Sequence, residues 1–74
     1  MPATLRLSGP LRDFNGGKPE LQVQPGRTVR EVITDLGIVP ETIAVVVVNE
    51  EQQTKDYIFK EGDVVLVLAI IGGG

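Results

Sequence analysis

The 74-residue sequence contains neither cysteine nor histidine. Without cysteine there is no disulfide framework and no thiolate metal site. Without histidine the usual zinc ligand and the commonest general base are both missing. Serine occurs once, as Ser8, with no histidine to activate it. No pair of carboxylates is placed by the sequence for acid–base work, so no catalytic residue is expected. Glu50-Glu51 and Glu61/Asp63 read as solvated turn residues, and the EF-hand spacing that would make them a calcium site is absent. Long apolar runs are also lacking: the longest, Val64 to Ile71, is far too short to span a bilayer. Met1-Pro2-Ala3-Thr4 has no apolar signal core, so a cytoplasmic location without a membrane partner is expected. Positive charge is in the minority, 7 Lys and Arg against 10 Asp and Glu, for a net charge of −3. Nucleic acid is therefore not an expected partner, whereas a protein with a basic docking surface suits the chain well.

What remains is a globular composition, 42% apolar and 23% charged, of a length that makes one domain. A chain of this size buries only about 60% of the surface its unfolded form exposes, so the core is modest. Residues 3–8 alternate, with Leu5 and Leu7 on one face, and read as a half-buried strand. Leu11 and Phe14 are expected to tuck one turn under the core. Asn15-Gly16-Gly17 is a turn signal, since both residue types accept positive φ. Its likeness to a phosphate loop fails, because the GxxxxGK[ST] spacing is missing and Pro19 follows. Residues 20–24 alternate through Leu21 and Val23, a second strand antiparallel to the first. Thr28 with Glu31 forms a capping box ahead of a helix. Val29, Val32, Ile33 and Leu36 give that helix a single apolar stripe, and Gly37 suits its left-handed end. Residues 43–48 are a β-branched run and hence a strand. Residues 49–53 read as a polar turn, 54–58 as a short edge strand, 61–63 as a tight turn and 64–70 as a last apolar strand.

Strand, strand, helix, strand, short strand, strand is an α+β, two-layer order with one short helix on a mixed four- to five-stranded sheet. The last strand is expected beside the first and parallel to it, in mid-sheet, where runs apolar on both faces belong. One short helix covers one face only. Some apolar side chains of 43–48 and 64–70 must therefore face outward, covered by the 9–17 loop, by a dimer contact or by a docking partner. Val46, Leu66, Leu68 and Ile70 are the candidates for docking.

After the last strand come Gly72-Gly73-Gly74. Glycines there add nothing to packing and are costly to order. A tail without Cβ atoms can thread a narrow channel in another protein. Its unhindered terminal carboxylate can be activated as an acyl-adenylate and attacked by a nucleophile. The expected division is a domain over 1–71 and a flexible tail over 72–74.

Glu61-Gly62-Asp63-Val64-Val65, a strand and then Gly72-Gly73 together resemble the C-terminal signature of the MoaD/ThiS sulfur-carrier family. Pro25-Gly26-x-Thr28-Val29-x-Glu31-Val32 resembles that family's entry into its helix, and Val48-Asn49-Glu50 its strand-to-turn step. The resemblance implies a ubiquitin-like β-grasp fold. It implies an adenylyltransferase partner related to ubiquitin-activating enzymes, which uses MgATP to adenylate the terminal carboxylate. A sulfur donor then makes a thiocarboxylate, and the sulfur passes to a synthase or thiolase subunit. Gly74 would carry the activated carboxyl, or Gly73 after trimming, with Gly72 and Gly73 threading the channel. The carrier itself would bind no cofactor and catalyse nothing. Family members usually end in two glycines, and this chain has three. Ala69-Ile70-Ile71 lacks the proline pair of molybdopterin carriers and looks like thiamine-type or tRNA-thiolation carriers, whereas the long 9–17 loop resembles molybdopterin-type members. Conjugation to lysines as a protein modifier, or a purely non-covalent interaction domain, are the competing readings.

Overall fold

The computed structural model describes residues 1–69. A five-stranded mixed sheet is formed by β1 (Ala3–Leu7), β2 (Glu20–Val23), β3 (Ile43–Val48), β4 (Glu51–Gln53) and β5 (Val64–Ala69), in the order β2-β1-β5-β3-β4. The helix α1 (Val29–Asp35) crosses one face. β5 lies at the centre, parallel to β1 (Leu5 beside Val65) and antiparallel to β3 (Val46 beside Val67). Leu5, Leu7, Val46, Val48, Val65 and Val67 point toward the helix and are buried against Val29, Val32 and Ile33.

The helix is seven residues long, too short to persist without help at its ends. Thr28 Oγ1 accepts from the Glu31 N–H at 3.1 Å, and the Glu31 carboxylate accepts from the Thr28 N–H at 2.9 Å, completing the capping box. These hydrogen bonds hold the Glu31 carboxyl below its usual range. The next free donors, the N–H groups of Val29 and Arg30, reach the carbonyls of Tyr57 and Lys55, each at 2.9 Å. At the other end Ile38 N–H donates to the Ile33 carbonyl and Gly37 N–H to that of Thr34, both at 2.9 Å. That is a Schellman closure, which needs the positive φ of +90° that Gly37 supplies.

Three expectations are corrected. The edge strand lies at Glu51–Gln53, not at 54–58, and the polar turn shrinks to Asn49-Glu50. Both turn residues have positive φ, 48° and 75°, so a two-residue hairpin pairs Val48 with Glu51. Residues 54–58 are spent on the helix N-terminus, as the Tyr57 and Lys55 carbonyls show, and only Ile58 touches a strand-like partner, Thr28. Phe14 does not tuck in: within the 3-10 helix Gly9–Asn15 only Leu11 is buried, and Phe14 stays exposed. Sequence patterning also passed over Phe59, which is buried to 1% exposure and is the largest fully enclosed side chain.

Candidate functional site

The sheet face opposite the helix is open. Val45, Val47, Leu66 and Leu68 are half-buried there and Val64 is exposed. Strand pairing sets Val45 beside Leu68 and Val47 beside Leu66, so the four side chains form one apolar block. The Gly9–Asn15 segment does not cover it. Its Leu11 joins the core on the helix side, and Phe14 lies next to Gly37.

The sequence placed Val46 on this face, and the structure corrects that: Val46 is 2% exposed and belongs to the core. The physical reason is the β3–β5 register. Ile43 pairs with Ala69 and Val45 with Leu68, so Ala44 is an extra residue that bulges out of the ladder. Beyond the bulge Val46 and Val48 face inward and Val45 and Val47 outward. A run of apolar residues carries no signal of such a shift. Leu66 and Leu68 lie on the open face. Ile70 and the glycines Gly72, Gly73 and Gly74 lie outside the described residues.

At one end of the apolar block a shallow depression of about 330 Å³ is lined by Arg6, Val47, Asn49, Glu50, Val64 and Leu66. Asn49, one of these lining residues, is held by Asp63, the acidic residue of the Gly62-Asp63 turn. Asp63 is buried and accepts from three donors: Tyr57 Oη at 2.5 Å, the Lys60 N–H at 2.9 Å and Asn49 Nδ2 at 3.1 Å. Burial alone would push its carboxyl up, but the hydrogen bonds from Tyr57, Lys60 and Asn49 outweigh it and hold the group below its ordinary value. The same bond to Asp63, together with burial, pushes the Tyr57 phenol up to about 12. Asn49 closes the ring by accepting from the Val64 N–H at 3.2 Å, while the Asp63 carbonyl accepts from Thr4 at 2.8 Å. The turn thus launches β5 in register with β1 and β3. Asp63 is a structural clamp rather than the solvated turn residue read from the sequence, whereas Glu50, Glu51 and Glu61 are exposed. Ser8 is likewise structural, its hydroxyl donating to the Val67 carbonyl at 3.1 Å. Among the described residues no group of three or more acidic side chains gathers to hold a metal ion, and no helix is long and apolar enough to cross a membrane.

The chain matches the family model described as the ThiS family over residues 5–74. The sulfur carrier protein TtuB of Thermus thermophilus is 40% identical over 57 residues, covering 77% of this chain and 86% of that relative. Among solved structures, a chain of the Amycolatopsis orientalis BexX/CysO complex superposes with a TM-score of 0.69 at 25% identity, over 97% of this chain and 99% of that one. SAMP1 from Haloferax volcanii superposes with a TM-score of 0.64 at 18% identity over the whole of both chains, which bears on the fold alone. These neighbours share the ubiquitin-like β-grasp architecture described above. The family match across residues 5–74 and the identity to a known carrier place the molecule: the chain belongs to the ThiS family of MoaD/ThiS-type sulfur-carrier proteins.

Proposed function

We propose that the chain carries sulfur on its C-terminal glycine as a thiocarboxylate. The observation that carries this reading is the family match over residues 5–74, a span that includes Gly72, Gly73 and Gly74. The carboxylate of Gly74, or of Gly73 after trimming, attacks the α-phosphorus of ATP held with magnesium by an adenylyltransferase, and pyrophosphate leaves. A hydrosulfide-equivalent donor then attacks the acyl carbon, AMP leaves, and the thiocarboxylate remains. Gly72 and Gly73 pass through the partner's channel because they have no side chain to obstruct it. The chain supplies no catalytic group and acts as a co-substrate in the cytoplasm.

The apolar block of Val45, Val47, Leu66 and Leu68 docks the adenylyltransferase and, later, the synthase or thiolase subunit that accepts the sulfur. Two observations support this. The block is contiguous on the uncovered face of the sheet. β5, which carries Leu66 and Leu68, is the strand from which the chain runs on to the glycines. The crystal structure of the BexX/CysO complex provides a chain of like shape in a two-protein assembly, which favours a partner-dependent role here.

The test is mass spectrometry after incubation with a ThiS-type adenylyltransferase, MgATP and a sulfide donor. The expected product gains the mass of one oxygen-to-sulfur exchange at its C-terminus. A partner that thiolates TtuB but leaves this chain unchanged would remove the proposal. Attachment to lysines in a lysate, without any thiocarboxylate, would replace it with a modifier role.

A further inference from the structure

The two edges of the sheet are built differently. β4 is three residues long, fully exposed and opens on Glu51 directly after Glu50, so charge and shortness protect it from pairing. β2 also opens on a glutamate, Glu20, but that charge is paired with Arg6 at 3.6 Å, and the strand carries partly exposed Leu21 beside neutral Gln22. Its partner β1 pairs Leu5 with Leu21 and Ala3 with Val23, and the Leu7 N–H donates to the Pro19 carbonyl at 2.7 Å. Antiparallel ladders alternate, so Pro19, Leu21 and Val23 turn their backbone groups to β1, whereas Glu20, Gln22 and Gln24 turn theirs off the edge. The Glu20 carbonyl already accepts from Asn15 Nδ2 at 3.2 Å. Among the described residues nothing pairs with the outward N–H and carbonyl of Gln22. Beside this edge runs a groove of about 390 Å³ between β2 and α1, walled by Leu21, Val23, Val32 and Leu36 and rimmed by Arg27 and Asp35. Leu21 and Leu36 are only partly buried.

We propose that the β2 edge pairs antiparallel with β2 of a second copy, about a two-fold axis through Gln22. The sequence Glu20-Leu21-Gln22-Val23-Gln24 is self-complementary in that register. The outward groups of Gln22 meet those of Gln22 in the second copy, and those of Glu20 meet those of Gln24. Leu21 then faces Val23 of the second copy in a close, non-hydrogen-bonded position, on the helix side of the sheet. The apolar walls of the two grooves adjoin, covering Leu21. No like charges oppose each other: Glu20 faces a neutral glutamine and is already offset by Arg6 at 3.6 Å. Arg27 and Asp35, bonded to each other at 2.6 Å, bring no net charge to the rim. The apolar docking block on the opposite face of the sheet stays open.

Analytical ultracentrifugation of the purified protein, from micromolar to millimolar concentration, tests this. The expected result is a monomer–dimer equilibrium. Gln22→Pro removes the outward N–H without touching the bonds to β1. With the two edge hydrogen bonds at the dyad lost, the dimer is expected to dissociate about thirtyfold more readily. Gln22→Lys sets like charges opposite each other and weakens the dimer about fivefold. It keeps the backbone intact, so it decides the matter if the proline variant misfolds. Leu66→Asp, on the other face, leaves the equilibrium unchanged. A wild-type protein monomeric at millimolar concentration, a dimer indifferent to Gln22→Lys, or a dimer abolished by Leu66→Asp each overturns the proposal, and none of them bears on thiocarboxylate formation.

Discussion

Glu50 occupies a backbone conformation that few residues other than glycine accept, with φ of +75° in the turn after β3. A side chain in that region costs roughly 1–2 kcal/mol. Glu50→Gly is therefore expected to raise stability by about 1 kcal/mol, seen as a higher midpoint in urea with an unchanged slope. Asp63 presents the opposite case, a buried carboxylate satisfied by every donor around it. Its folded pKa lies below the ordinary aspartate value, so its contribution is present above that value and is lost as pH falls through the folded one. Asp63→Asn leaves the Lys60 and Asn49 donors facing an amide. The expected cost at neutral pH is about 2 kcal/mol, with a flatter acid limb in the stability profile. Tyr57 works at the other extreme. Its pKa rises from 10.0 to about 12 on folding, so its contribution is complete below pH 10 and disappears as pH climbs through about 12. Tyr57→Phe should remove that alkaline loss, measured by denaturant titrations at several pH values.

The elements differ in how openly the sequence announces them. α1 was legible because its signals are local: the Thr28–Glu31 box, a stripe of three buried residues and Gly37 all sit within ten positions. Thr28→Ala is expected to cost about 1 kcal/mol by chemical denaturation, the usual worth of a cap. β1, β2 and the central β5 were legible from alternation and apolar density. What stayed hidden depends on partners distant in the chain. Nothing local to Lys55 or Tyr57 says that their carbonyls will accept from the first N–H groups of α1, more than twenty residues earlier, and so draw that segment out of the sheet. The bulge at Ala44 is likewise a property of how β3 meets β5. It sends Val46 inward and leaves Leu66 outward. Val46→Asp places a carboxylate in the core, at a cost of several kcal/mol against a total of about 5–15 kcal/mol, and should unfold the protein by circular dichroism. Leu66→Asp should fold and melt near the wild type.

For the whole molecule, the described residues already hold a finished core. β5 is paired with β1 as far as Val67 and with β3 as far as Ala69, and the buried apolar side chains run from Ala3 to Val67. Gly73 and Gly74 have no side chain to add to that packing. Deleting both is expected to shift stability by no more than about 0.5 kcal/mol, a change of about 2–4 °C in Tm for a domain of this size. The same deletion should abolish thiocarboxylate formation, because the carboxylate, now on Gly72, is two residues short of the position at which the partner adenylates it. The two halves of the proposed function can then be separated with one further measurement. The truncated protein keeps the Val45, Val47, Leu66 and Leu68 block, so it should compete for the adenylyltransferase and slow thiocarboxylation of the full-length chain. Adding Leu66→Asp to the truncated chain should relieve that inhibition while leaving the fold intact. A truncated protein that melts many degrees lower would make the glycines structural, and one that folds but fails to compete would move the docking surface off this face of the sheet.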